Sequence, residues 1–136
     1  MSLFNIFNIA GSGMSAQSIR LNTTASNLAN AETISGSEKD VYHSKHPVFS
    51  ALVQDFEKAN SEGVKVLGIM ESNAPSRMEY LPNHPLANNQ GYVFMPNVNT
   101  VEEMANMISA SRSYQTNVEV LSASKQMLLK TLGLGN

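Results

Sequence analysis

The 136-residue chain contains no cysteine. That absence removes a disulfide framework, a thiol nucleophile and a cysteine-based zinc cluster together, and leaves any redox compartment open. Charge is also scarce: Asp, Glu, Lys and Arg make up 15% of the residues, against about 25% in ordinary soluble proteins. Asn and Ser take up the shortfall, giving a surface that is polar yet easy to desolvate and so suited to burial against partners. From Met1 to Ala31 the sole ionisable side chain is Arg20; a neutral helix buried inside a compact globule would account for this stretch as well. The formal net charge of −2 and three scattered histidines leave no basic face for nucleic acid. No run approaches the ~20 apolar residues of a membrane span. The segment Met1–Ala10 lacks the basic start of a cleavable signal peptide, so any exit from the cytoplasm is expected to use another route.

Proline is missing from both ends. All five prolines (Pro47, Pro75, Pro82, Pro85 and Pro96) lie in the middle, which fits helical termini around a non-helical centre. Phe7, Met14, Leu21 and Leu28 recur every seven residues near the N-terminus, and Met107, Tyr114, Leu121 and Leu128 do so near the C-terminus, with Met104 and Val118 filling partner positions. That spacing lays one apolar stripe along each helix and asks for a second helix to cover it. The N-terminal helix, about Ser2 to Asn30, is expected to be interrupted at Gly11-Ser12-Gly13 and to need a partner, because each Gly costs up to about 1 kcal/mol of helix propensity and isolated helices are marginal.

The C-terminal helix has the clearest start in the chain. Asn99 with Glu102, or alternatively Thr100 with Glu103, forms a capping box, and the carboxylates suit the positive end of the helix dipole. Lys125 and Lys130 sit in the last turns and Gly133 supplies a stop. Between the helices, Pro47–Phe56 and Val64–Met70 read as a hairpin joined by a polar turn over Glu57–Gly63, and Gly91–Met95 as a third short strand. Three short strands bury little, so a small, partly mobile insertion is expected.

Chemistry is hard to find. His43 and His46 form an H-x-x-H pair, but in an expected loop beside Pro47; His84 lies in the turn Pro82-Asn83-His84-Pro85, and no carboxylate completes a metal site. The Gly11-Ser12-Gly13 stretch lacks the further glycine, the preceding strand and the lysine of a phosphate loop. Adjacent Glu102 and Glu103 point in different directions on a helix and act as helix-start residues. No catalytic residue, no cofactor and no metal ligand is assigned.

The motifs themselves carry a resemblance. Ala25-Ser26-Asn27-Leu28-Ala29-Asn30 resembles the signature near the N-terminus of bacterial flagellar rod and hook proteins, and Ser111-Arg112-Ser113-Tyr114-Gln115 through Leu121, with Lys130 to Leu134, resembles their closing helix. Asn83 to Val93 and Met95-Pro96-Asn97-Val98-Asn99 narrow the likeness to the proximal-rod branch of that family. It spans essentially the whole chain and is weakest from Ser35 to Ser76. Where many relatives continue into a Thr-Pro-Gly-Phe turn, this chain has Ala31-Glu32-Thr33-Ile34-Ser35-Gly36.

The expected fold is mainly α with a small β insertion: paired N- and C-terminal coiled-coil-like helices flanking a short β-hairpin module, divided as residues 1–34, 35–98 and 99–136. The resemblance implies a non-enzymatic subunit of the flagellar basal-body rod, the periplasm-spanning drive shaft. It further implies export through the flagellar type III apparatus without a cleaved signal, and partners among other rod proteins and copies of the chain. Nucleic acid, membrane insertion and small-molecule substrates are not implied. The assembly interface is expected on Phe7, Met14, Leu21, Leu28, Met104, Met107, Tyr114, Val118, Leu121 and Leu128. The alternatives are another flagellar or injectisome rod subunit, or a small metal-binding protein using His43, His46 and His84.

Overall fold

The computed structural model describes residues 3–55 and 60–133. Two long helices enclose two small antiparallel sheets in sequence: α1 (Leu3–Asn30), a short 3-10 turn (Glu38–Asp40), β1 (Lys45–Asp55), β2 (Asn60–Glu71), β3 (Arg77–Tyr80), β4 (Tyr92–Met95) and α2 (Thr100–Gly133). The mainly helical architecture with a small β component is therefore present. At ~1.5 Å per residue the helices are about 42 and 51 Å long.

The start of α2 resolves the two capping possibilities in favour of Asn99. Its Oδ1 accepts from the amides of Val101 (3.1 Å) and Glu102 (3.4 Å), and its carbonyl accepts the first helical bond from Glu103 N–H at 2.9 Å. Two amides that would be orphaned at a helix start are thereby satisfied.

Three expectations change. First, α1 runs unbroken through Gly11-Ser12-Gly13. Packing overrides the propensity cost, because α1 lies against α2 and against both strands of the β1–β2 hairpin. The partner this helix needs is supplied by its own chain. Second, the central region has four strands. The stretch Arg77–Tyr80 pairs with Tyr92–Met95, and the bridge of Ser35 to Phe94 extends that sheet. Third, β1 and β2 are 11 and 12 residues long, paired from Lys45–Glu71 to Asp55–Asn60 with irregularities at Val48/Phe49, Leu52/Val53 and Val53/Asp55. The polar segment expected to be a turn is thus partly strand from Asn60 onward; Phe56 and the remainder of that turn fall outside the described residues, as do Ser2 and Leu134.

The hydrophobic core gathers where the exit of α1, β4 and the approach to α2 meet. Ala31, Val41, Val93, Met95, Pro96 and Val98 are buried there, with Val93 and Met95 on the inward face of β4 and Tyr92 facing out. Where the Thr-Pro-Gly-Phe turn is replaced, the chain leaves α1 through a turn closed by Thr33 N–H to Asn30 C=O (3.1 Å). It is then held by reciprocal 2.9 Å bonds between the backbones of Ser35 and Phe94. Among the described residues no helix is long and apolar enough to cross a membrane.

Candidate assembly site

Helix α1 meets α2 in antiparallel fashion. Gly13 abuts Asn117, whose side chain would lie 3.1 Å from a Cβ at position 13, and seven residues further along α1 the Arg20 guanidinium donates to Asn106 Oδ1 at 2.9 Å. As α1 advances, its partner on α2 recedes. The buried line of α2 consists of Glu103, Ala110 and Ser124, continued by the half-buried Asn117; on α1, Ala10, Ala16, Thr24 and Asn27 are buried. Small and polar residues therefore occupy the closest part of the contact.

The apolar stripe flanks this line. Phe7, Met14, Leu21, Leu28, Met107, Leu121 and Leu128 are half-buried, whereas Met104, Tyr114 and Val118 are exposed. Leu21 and Leu28 do not lie opposite Leu121 and Leu128 within the chain. With position 20 opposite 106, Leu121 lies some 15 residues, or about 22 Å, further along α2. Periodicity found the stripes but not the small-residue line beside them; the signal was the run Ala110, Asn117, Ser124 at the same seven-residue spacing, with Asn117 against the glycine at 13.

Two asparagines hold the base of the hairpin. Asn27 is fully buried; its Nδ2 donates to Lys45 C=O (2.8 Å), and its Oδ1 accepts from Lys45 N–H (2.9 Å) and from Tyr42 O–H (2.8 Å). The side-chain amide thus pairs with both backbone groups of Lys45, as an opposing peptide in a sheet would. Ser26 Oγ lies 3.1 Å from the same Tyr42 hydroxyl, and Asn30 Nδ2 donates to Ser26 C=O at 2.8 Å. From the other side of the hairpin, Asn97 Oδ1 accepts from Ser44 N–H (2.8 Å) while its Nδ2 donates to Ala74 C=O (2.7 Å). One asparagine reaches from α1 and the other from the approach to α2, so both helices are tied to the two ends of the hairpin base. The motif residues Ser26, Asn27 and Asn30 act in this network, Leu28 and Ala29 lie on its half-buried and exposed flanks, and Ser111, Arg112, Tyr114 and Gln115 lie on α2, the first half-buried and the rest exposed.

The far end of the hairpin is fixed by close approach. Gly63 has φ +133°, and Ser12 Oγ stands so near that a Cβ on Gly63 would overlap it. The same Ser12 oxygen donates to Ile9 C=O (2.9 Å) and accepts from Val64 N–H (3.1 Å). The Gly-Ser-Gly stretch is therefore a packing platform, with Ser12 under the hairpin and Gly13 under α2. Gly63→Ala is expected to release this end of the hairpin from α1, since it adds both a steric clash and an unfavourable φ. Amide hydrogen exchange at Val64 should rise well above that in the parent chain, while exchange at Lys45, held by Asn27, stays unchanged.

The histidines do different work. His84 Nδ1 accepts from Leu86 N–H at 3.1 Å and closes its own turn. His46 lies in β1 opposite Met70. Among the described residues no group of three His, Cys, Asp or Glu side chains is placed to hold a metal.

Two family models cover the helical parts of the chain. The flagella basal body rod protein model matches residues 7–34, and the flagellar basal body rod FlgEFG protein C-terminal model matches residues 89–134; the first contains Asn27 and the second Asn97. Flagellar basal-body rod protein FlgC of Escherichia coli O6:H1 is 54% identical over 135 residues, covering 99% of each chain. The chain belongs to the FlgC family of flagellar basal-body rod proteins. The FlgC proteins of Salmonella typhimurium and Yersinia enterocolitica are 53% and 52% identical over the same length, again with 99% of each chain covered. The family's two matched regions coincide with α1 with its exit and with β4 plus α2, the parts that build the helix pair and its asparagine ties.

Proposed function

We propose that this chain is a non-enzymatic structural subunit of the flagellar basal-body rod that acts by packing. Family membership supports the rod assignment, and one structural observation supports packing as the means: α2 leaves a long side uncovered by its own chain. Val101 is 75% exposed, Met104 54% and Ile108 56%, an i, i+3, i+7 set that falls on one helix face. Further along, Val118, Leu129 and Leu132 are also exposed. Exposed apolar positions recurring at this spacing along a helix ask for a neighbour.

In this reading residues 1–34 and 99–136 form the wall of the rod with neighbouring subunits, and residues 35–98 set which neighbour is accepted. The subunit transmits torque as part of a periplasm-spanning shaft and reaches it through the flagellar type III export apparatus. Its partners are other rod proteins and copies of itself. The test is direct. A tagged chain expressed in a strain lacking its own gene should restore motility and co-purify with isolated basal bodies; a functional strain whose basal bodies lack the tagged chain would defeat the assignment. Exchanging residues 35–98 for those of another rod protein should preserve export but alter incorporation.

A further inference from the structure

Arg20 is the sole ionisable side chain in the first 31 residues, and it is half-buried in a cleft of about 340 Å³ bounded by α1, the start of β1 and α2. Thr24, Lys45, His46 and Asn106 share that cleft. Lys45 already has an anion, Glu71 at 3.4 Å, and lies 5.5 Å from the centre of the Tyr42 ring. Arg20 differs. Its guanidinium gives an N–H to the neutral Asn106 oxygen, and among the described residues the sole ion pair is that of Lys45 with Glu71. A guanidinium presents five donors in a planar fork suited to a carboxylate. Covering it on assembly without an anion would leave a desolvated charge, which is expensive.

The chain holds a matching anomaly. Between Ser113 and Ser124, the middle of α2, the sole charged residue is Glu119, which is exposed. It stands two residues beyond Asn117, which abuts Gly13, and at ~100° per residue it points away from α1. It also lies 13 residues along α2 from Asn106, about 20 Å, so it cannot reach Arg20 of its own chain. Within these stretches each helix carries one charge, of opposite sign and mutually inaccessible within the molecule; Arg112 and Lys125 bound the second stretch, and the buried Glu103, one turn from Asn106, makes no ion pair with Arg20.

We propose that the Arg20 cleft is a carboxylate receptor filled, in the assembled rod, by Glu119 of a second copy of this chain. The inference rests on the rod reading above. The contact would give register to an interface whose other groups are small, polar or apolar and tolerate sliding, because an unpaired buried charge penalises every shifted arrangement.

Charge reversal tests it in cells. Arg20→Glu and Glu119→Arg should each abolish motility at normal protein level and export, and the double variant should regain it; the control Lys39→Glu, an exposed residue, should remain motile. Two motile single variants, or a folded, exported double variant that stays immotile, would overturn the pairing. A second measurement exploits the absence of cysteine. Basal bodies containing Arg20→Cys together with Glu119→Cys, co-expressed with parent chain to secure incorporation, should yield covalent dimers with a bismaleimide of about 10 Å reach, because an Arg–Glu pair holds its Cα atoms farther apart than a disulfide spans, whereas either single variant should not. Incorporated double variant that remains monomeric would refute the contact while leaving the rod assignment intact. Absence of the parent chain from the basal bodies would instead refute the rod reading itself.

Discussion

Replacing Asn27 by alanine is expected to lower the chain's stability by about 2–4 kcal/mol, measured by denaturant unfolding of the purified protein. The substitution leaves two groups without partners, the N–H and C=O of Lys45, and takes one of two partners from the Tyr42 hydroxyl, which keeps Ser26 Oγ. Each buried polar group so orphaned costs roughly 1–3 kcal/mol, partly relieved where water can enter the gap. Asn27→Asp should fare no better. It keeps an acceptor, loses the donor that satisfies Lys45 C=O and places a charge at a fully buried position. Asn83, exposed in a turn, provides the control, since Asn83→Ala should fall within about 0.5 kcal/mol of the parent. Equal effects at positions 27 and 83 would mean that the asparagine does not tie α1 to the hairpin.

The second large effect separates the interior of the subunit from its outer face. Leu121 is half-buried one turn beyond Asn117, so Leu121→Asp removes part of the ~1.5–3 kcal/mol that burial of a leucine contributes and adds the cost of desolvating a carboxylate. Both the fold and rod completion should suffer, as should be true of Leu28→Asp. Met104 is 54% exposed. Met104→Asp should therefore leave the unfolding midpoint of the isolated chain nearly unchanged, as surface substitutions do, and still block rod completion and motility if that face is covered by a neighbour. Protein export, followed in culture supernatants, should persist in all three. Motile cells carrying Leu121→Asp at normal protein level would remove this residue from any essential contact. Motile cells carrying Met104→Asp would remove the outer stripe from the assembly interface.

Much of this molecule follows from local chemistry. The C-terminal helix was legible because its start signal, its charges and its freedom from proline agree, and Asn99 caps it as that pattern requires. The hairpin strands were legible as apolar-rich segments around a polar turn, the second of them rich in β-branched residues. The strand Arg77–Tyr80 was not, because its polar–apolar alternation covers only four residues and all four are exposed; its pairing with Tyr92–Met95 is what makes it a strand. The glycines at 11 and 13 misled for a related reason. Propensity counts them as interruptions, but the close approach of Asn117 to Gly13 and of Gly63 to Ser12 makes small side chains the condition for packing at positions 13 and 12, while nothing lies close to Gly11.

Sequence by itself determined that the ends of this chain are long helices with apolar stripes, that the centre is a β insertion, that thiol chemistry is absent, and to which family the motifs point. These depend on periodicity, caps and composition, which act over a few residues. Tertiary structure alone decided that the helices run antiparallel, and that a line of small and polar residues forms their closest contact while the apolar stripes flank it. It also decided that Asn27 and Asn97 tie both helices to one hairpin. The reason is physical: a stripe specifies that a face must be covered, but which surface covers it depends on the direction and offset of the partner, and the hydrogen bonds of a buried amide are set by whichever backbone the fold brings opposite.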